Sequence, residues 1–251
     1  MGTPEPPTNP DFEASGQSWY ERAFGADYGR VYPHRDTSEA RRTVEFLVER
    51  GLRGPVLDLA CGSGRHLAAL AELGLQAWGL DLSVAQLASC PHMGRVIRAD
   101  FRRVPALAGS FRSVLSLFSS FGYLPTQAAD AEVLVEVRRV LEPGGELILD
   151  VMNATRVRAG LVAESRTEHG EDLVLERRTL TEGGRRVRKE VELQGPGGRR
   201  AWREDVALYE RKELEDLLAA AGLEPVEAWG DYAGGAFGPE APRLILRAQA
   251  R

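Results

Sequence analysis

The run Val56-Leu57-Asp58-Leu59-Ala60-Cys61-Gly62-Ser63-Gly64-Arg65-His66, followed by Gly79-Leu80-Asp81-Leu82-Ser83, constrains this chain more than any other feature. It reads as a buried strand, a glycine turn, an amphipathic helix and a second buried strand that ends on an acid. Gly62 and Gly64 remove side chains where a backbone turns tightly or approaches a ligand. In nucleotide-binding α/β folds, a carboxylate about twenty residues beyond such a turn grips a ribose diol. Asp81 holds that position. The dinucleotide fingerprint needs a third small residue three positions after Gly64, and this chain has Leu67 there. The turn has no Gly-Lys-Ser/Thr ending either, which excludes a P-loop. The pattern suits a nucleoside without phosphate machinery.

The rest of the chain extends the same rhythm. Trp19, Tyr20, Ala23 and Phe24 share one helical stripe. Asp36 with Glu39 makes a capping box that opens a second helix, with Val44, Leu47 and Val48 facing inward and Gly51 as its stop. Strands are expected at 55–60, 76–81, 94–99, 111–118 and 146–151. Helices fall between them: one runs from Gly64 to Gly74 on Leu67, Leu70 and Ala71, one spans 83–89, and one opens at Pro125-Thr126 and is stopped by Glu142-Pro143-Gly144-Gly145. Such alternation predicts a parallel sheet with right-handed crossovers. After Asn153 the period changes. Segments 173–181, 186–193 and 199–209 alternate like antiparallel strands around glycine turns. A helix at 211–221 and strands at 223–229 and 243–248 complete the chain.

Asp58 to Gly64 resembles the first motif of the Rossmann-like, class I S-adenosylmethionine (SAM) dependent methyltransferases, and Leu80-Asp81-Leu82-Ser83 resembles their second. Arg98-Ala99-Asp100-Phe101 is similar to the third motif, and Phe111 to Tyr123 to the strand and loop at the methionine end. The resemblance implies a small-molecule methyltransferase with a seven-stranded, mostly parallel sheet. It also implies helices on both faces, an antiparallel last strand and an antiparallel β-ribbon inserted after strand five. The expected organisation is a disordered tail at 1–17, a helical cap over the cofactor at 18–53, a SAM-binding core at 54–154, an acceptor-side insertion at 155–209 and the end of the core sheet at 210–251.

The resemblance also assigns a cofactor shell of Tyr20, Tyr32, Asp58, Ala60, Gly62, Gly64, Asp81, Leu82, Asp100, Phe101, Phe118 and Ser119. Asp81 would accept both ribose hydroxyls, with Leu82 against the adenine. Asp100 would accept from the adenine amino group, near the Phe101 amide. Asp58 would order the turn or meet the methionine ammonium through water. In the family an N-terminal segment such as Tyr20 to Arg35 supplies a tyrosine or arginine to the methionine carboxylate. Asp81 and Asp100 are also plain helix caps after a strand, a common use of Asp. His66 and Tyr123 are the candidate catalytic residues, and no metal site is expected. The acceptor pocket is drawn from Ser119 to Tyr123, from Met152 and Asn153, and from the glycine-rich aromatic loop Trp229 to Phe237.

Composition narrows the partners. The formal charge of −5 opposes general binding of polyanions. Nine cations between Arg177 and Arg203 form a local exception, read as a solvated strand face or as a docking surface for an anionic substrate. No Pro-Pro-aromatic motif follows strand four at Leu117-Phe118-Ser119-Ser120-Phe121, a departure from enzymes that methylate nucleic-acid bases. Two cysteines, no apolar run of membrane length and a polar N-terminus point to a cytoplasmic protein without a membrane partner. The expectation is transfer to nitrogen or oxygen of a small-molecule acceptor, by a monomer or homodimer and without nucleic acid. A tRNA-modifying methyltransferase and a SAM-binding protein without transfer activity stand as alternatives.

Overall fold

The computed structural model describes residues 18–251 except 34 and 92, and the backbone alone of residue 93. The expected tail at 1–17 and His34 lie outside the described residues. In chain order the main sheet uses β1 (Val56–Leu59), β2 (Ala77–Asp81), β3 (Val96–Arg98), β4 (Phe111–Ser116), β5 (Leu141–Met152), β10 (Leu223–Trp229) and β11 (Arg243–Ala250). Their order is β10-β11-β5-β4-β1-β2-β3. Pairings among β1 to β5 are parallel, while β11 runs antiparallel to both its neighbours.

Side chains alternate across this sheet with the two-residue period of a strand. Leu57, Leu59, Val114, Leu147, Leu149 and Leu246 belong to one core cluster, joined by Leu134 and Val137 of helix α6 (Gln127–Val140) and by Leu214 and Leu218 of α8 (Arg211–Ala220). Val56, Leu115, Ile148 and Ile245 belong to the other. There they meet Val44 and Leu47 of α3 (Thr37–Glu49) and Leu67 and Leu70 of α4 (Arg65–Glu72). The sheet is therefore buried on both faces, as the near-continuous apolar runs of its central strands require.

The boundaries differ from the sequence reading in instructive ways. Helix α6 passes at Leu141 directly into β5, and Glu142-Pro143-Gly144-Gly145 forms a bulge inside that strand. The register jumps from Phe111 opposite Leu141 to Ser113 opposite Glu146. Strand β3 is shorter than expected because a short 3-10 turn takes 93–95. On α4 the buried stripe is His66, Leu67, Ala69 and Leu70, and Ala71 is exposed. Two short helices carry no strong sequence period: α2 (Tyr28–Val31) and α7 (Ala154–Gly160). With α1 (Trp19–Ala23) and α5 (Val84–Ala88) they complete the α-helices of the described residues.

Between α7 and α8 lies a second, fully antiparallel sheet: β6 (Glu164–His169), β7 (Asp172–Thr181), β8 (Arg186–Gly195) and β9 (Gly198–Ala207). It has four strands rather than the three that alternation revealed. Val174, Val191, Leu193 and Trp202 on one face pack with Ala23, Val31 and Tyr32, so α1 and α2 are seated on this sheet. Its nine cations are each paired with a carboxylate, among them Arg177 with Glu164, Arg185 with Glu213, Lys189 with Glu204 and Arg203 with Glu190. Arg200 pairs with Asp27, tying the sheet to the N-terminal helices. The run is neutralised rather than a bare basic strip, and Arg186 is buried outright.

Candidate active site

The strand order reverses direction at β1 and β4, and the carboxyl ends of such strands are where open α/β sheets bind ligands. The chain leaves β1 through Ala60 at φ 57° and leaves β4 through Phe118 and Ser119 at φ 53° and 62°. Three non-glycine residues in the left-handed region at one end of one sheet are backbone strain gathered at one place. Beneath the β1 turn, Gly79 packs so closely that a Cβ there would lie 2.6 Å from the Cys61 sulfur. Gly64 caps α4 at φ 78° directly over Cys90. Both cysteines are buried packing, and burial pushes the Cys61 thiol up.

A chamber of about 490 Å³ opens above these turns. Ten of the twelve expected cofactor residues line it: Tyr20, Tyr32, Asp58, Ala60, Gly62, Asp81, Leu82, Asp100, Phe101 and Phe118. Gly64 lies behind the turn, and Ser119 faces a second chamber instead. The two oxygens of Asp81 accept from the amides of Gly62 at 2.8 Å and Ser83 at 2.7 Å. That shapes the turn and leaves one lone pair on each oxygen. Burial raises the Asp81 carboxyl above its ordinary range. Asp100 is gripped by its own neighbour, with the Arg102 amide at 2.9 Å and the guanidinium on both oxygens. Partial burial pushes the Asp100 carboxyl up, but these bonds hold it below the usual range.

Asp58 is 1 % exposed, and burial lifts its carboxyl to about 7. His66 stacks on Phe118 with centroids 5.4 Å apart, and burial keeps its imidazole neutral. Its Nδ1 is 3.8 Å from Asp58 Oδ2, beyond hydrogen-bond reach. The N-terminal helices close the chamber. Ser83 Oγ donates to the Phe24 carbonyl at 2.7 Å, and Gln86 donates to the Gly25 carbonyl at 3.1 Å.

A second chamber of about 610 Å³ adjoins the first. Phe24, Tyr28, Tyr32, Arg35, Phe118 and Tyr123 line both. Its far side comes from α7 and the antiparallel sheet, including Val157, Leu161, Val187 and Val206. Tyr123 sits at the junction, 4.8 Å from Trp19 and stacked on Phe24 at 5.6 Å. Its hydroxyl has no hydrogen-bond partner among the described residues. Tyr32, by contrast, donates to Glu204 at 2.6 Å and accepts from Lys189. Glu204 also takes the Trp202 indole N–H at 3.3 Å and pairs with Lys189 at 2.8 Å.

Three features assigned to the acceptor pocket do other work. Asn153 caps α7 and donates to the carbonyls of Gly238, Pro239 and Ala241. Trp229 is buried against Phe46. Tyr232 donates to Asp150 at 2.9 Å. Of the residues drawn into the acceptor pocket, Ser119, Tyr123 and Met152 line the second chamber. Asp150 itself was missed, because an acid at the end of an apolar strand gives no sign that it will be fully buried.

A family model described as a methyltransferase domain matches residues 56–145. The dTDP-3-amino-3,6-dideoxy-alpha-D-glucopyranose N,N-dimethyltransferase of Streptomyces fradiae is 30% identical over 207 residues, covering 79% of this chain and 78% of that protein. The chain belongs to the class I SAM-dependent methyltransferases. The ubiquinone biosynthesis O-methyltransferase of Pseudomonas aeruginosa is 28% identical over 152 residues, a match spanning 57% of this methyltransferase chain and 61% of that relative. Among solved structures, the sugar N-methyltransferase KedS8 from Streptoalloteichus sp ATCC 53650 is 25% identical at a TM-score of 0.68, covering 100% of this chain and 98% of its own. A SAM-dependent methyltransferase from Clostridium acetobutylicum ATCC 824 shares the fold at a TM-score of 0.77 and 16% identity, over 89% of this chain and 98% of that one. No helix among the described residues is long and apolar enough to cross a membrane.

Proposed function

We propose that this methyltransferase moves a methyl group from SAM to an amine nitrogen of a small-molecule acceptor, with the donor in the first chamber and the acceptor in the second. The observation that carries this reading is the shared wall: two chambers of ligand size meet across five aromatic side chains and Arg35. The two amide bonds to Asp81 leave its carboxylate pre-aimed with lone pairs for two ribose hydroxyls. Leu82 and Phe101 flank the adenine, and Asp100, steadied by Arg102, accepts from its amino group. Ala60 and Gly62 carry backbone toward the methionine end, while Tyr20, Tyr32 and Phe118 form walls. Gly64 and Ser119 act one layer back, shaping the two turns.

When bound, SAM supplies an electrophilic methyl group on a sulfonium that is already a good leaving group. The chain's task is then placement, with the nucleophile about 3 Å away and in line. Phe24, Tyr28 and Tyr123 surround the junction with ring faces, which favour a cation on either side of the transfer. Tyr123 is the catalytic residue of this reading, its free hydroxyl touching the acceptor nitrogen and fixing its lone pair. Glu204 is engaged by Tyr32, Trp202 and Lys189, so the acceptor arrives as a neutral amine. Relatives named for amino-sugar and peptide N-terminal methylation support nitrogen as the target.

The test is transfer of labelled methyl from SAM to a panel of amino sugars and small peptides, each paired with its hydroxyl counterpart. Labelling of amines alone is expected. Labelling confined to hydroxyl compounds would overturn the choice of atom.

A further inference from the structure

The two chambers carry charge of opposite sign. Glu21, Asp58, Asp81 and Asp100 line the first, against Arg35 and Arg65. Among the described residues the second is lined by Arg35, Arg156, Arg178, Lys189 and Arg243, with Glu204 as its one carboxylate. Three of those cations are answered. Arg243 pairs with Asp150, Arg178 with Glu176, and Lys189 with both Glu176 and Glu204. Five cations meet three carboxylates, which leaves an excess of two positive charges in a chain whose formal charge is −5.

The excess sits on Arg35 and Arg156, neither of which has a carboxylate partner among the described residues. Arg35 donates to the Tyr28 hydroxyl and lies 4.8 Å from the centre of the Tyr32 ring. It faces both chambers, whereas Arg156 faces the second alone. Arg156 stands on α7 next to Val157, and its guanidinium makes no hydrogen bond or ion pair among the described residues. The walls around these charges are apolar. Val157 and Leu161 come from α7, and Val187 and Val206 come as a cross-strand pair from β8 and β9. Low-dielectric walls focus the field of the charges they carry.

We propose that the acceptor carries, besides its amine, an anionic oxygen group, a carboxylate or a phosphate, and that Arg156 anchors it. The inference rests on the reading of the second chamber as the acceptor site and gives that acceptor a chemical class. A guanidinium fork matches the paired oxygens of either group. The amine then lies at Tyr123, the anion lies at α7, and the body between them rests on the valines. Arg35 adds its field at the junction. The cations of the antiparallel sheet are not this anchor, because each already holds a carboxylate.

Calorimetric titration of the S-adenosylhomocysteine-loaded protein with glutarate, pyrophosphate and the uncharged glutaramide tests this without an identified acceptor. Saturable binding of glutarate or pyrophosphate is expected, weakening with added salt, and none for glutaramide. The tighter anion tells a carboxylate from a phosphate as the natural group. Arg156→Gln should weaken that anion by about tenfold, the loss of one charge-assisted contact. Its affinity for S-adenosylhomocysteine should stay within about twofold of wild type, because Arg156 is not in the first chamber. Arg185→Gln removes the same charge from a surface ion pair and should leave anion binding unchanged. Binding of neither anion, equal binding of glutaramide, no loss in Arg156→Gln, or the same loss in both variants overturns the proposal. Failure of the wild type to take S-adenosylhomocysteine overturns the underlying reading of the chambers instead.

Discussion

The amide of Phe118 donates a 2.9 Å hydrogen bond to Asp150 Oδ2, and this bond fixes the turn that aims the Phe118 ring at the first chamber. Asp150 has no exposed surface. Its carboxylate also takes the Tyr232 hydroxyl and the Arg243 guanidinium, while its carbonyl accepts from the Ser119 amide at 2.9 Å. Arg243 in turn donates to Ser119 Oγ at 2.7 Å. Left-handed backbone at a phenylalanine and a serine persists only where surroundings over-determine it. Removing one partner of a buried ion pair typically costs about 3–5 kcal/mol. Asp150→Ala should therefore lower the melting temperature by several degrees and weaken S-adenosylhomocysteine. Asp150→Asn, which keeps an acceptor for the Phe118 amide, should do less of both. Scanning calorimetry of the two variants checks the order.

Arg185 and Arg186 are neighbours with opposite environments. Arg185 is 59% exposed at its side chain and pairs with Glu213 on the surface. Arg186 is buried, pairs with Asp205 and donates to the carbonyls of Leu124 at 3.2 Å and Gly122 at 3.5 Å. The second arginine braces the loop that carries Tyr123. Arg185→Gln should change stability by less than about 0.5 kcal/mol. Arg186→Gln should cost about 3 kcal/mol, because the Leu124 and Gly122 carbonyls lose a charged donor and Asp205 is left with Arg188 as its one ion-pair partner among the described residues. Urea denaturation of both variants measures the difference directly. Equal midpoints would contradict the brace.

Tyr123→Phe removes one hydroxyl and keeps the ring between Trp19 and Phe24. Cofactor affinity should stay within about twofold, since Asp81, Asp100 and the glycine turn are untouched. Turnover should drop by about one to two orders of magnitude, the usual worth of one positioned polar group acting at a reacting atom. Steady-state kinetics together with calorimetry separate the two effects. A large loss of cofactor binding would instead make Tyr123 part of the first chamber's wall only.

Asp58 carries a stability consequence with a definite sign. Its folded-state value of about 7 lies above the unfolded value, so the folded chain holds a proton that the unfolded chain has already released. Stability therefore falls as pH rises from about 4 to 7. Asp58→Asn removes that loss. The ligand-free variant should be more stable than wild type at pH 8, on the order of 4 kcal/mol, with the advantage shrinking toward pH 5. The same variant should bind S-adenosylhomocysteine more weakly. Melting curves at the two pH values decide it.

Much of this was legible in the sequence, for physical reasons. The glycine turn, Asp81 and the apolar runs of the parallel strands each carry a local signal that tertiary packing then obeys. The bulge in β5 looked like a stop because Pro143 and the two glycines end helices far more often than they interrupt strands. Strand β6 was illegible because Glu164 to His169 is polar on both faces, with no alternation to read. The burial of Arg186 was hidden inside a run of like residues. The strain at Phe118 and Ser119 leaves no mark in the sequence, since neither residue type favours the left-handed region. The free hydroxyl of Tyr123 and the unanswered charge of Arg156 depend on what surrounds them in space.

The most direct test of the whole account is calorimetric titration of S-adenosylhomocysteine into the wild-type protein and Asp81→Ala. The account requires one site per chain with micromolar affinity in the wild type, about 8 kcal/mol of binding free energy. In Asp81→Ala the affinity should fall by about ten- to a hundredfold, the worth of charged hydrogen bonds to two ribose hydroxyls. Equal binding by the two proteins, or a preference of the wild type for NAD over S-adenosylhomocysteine, would contradict it.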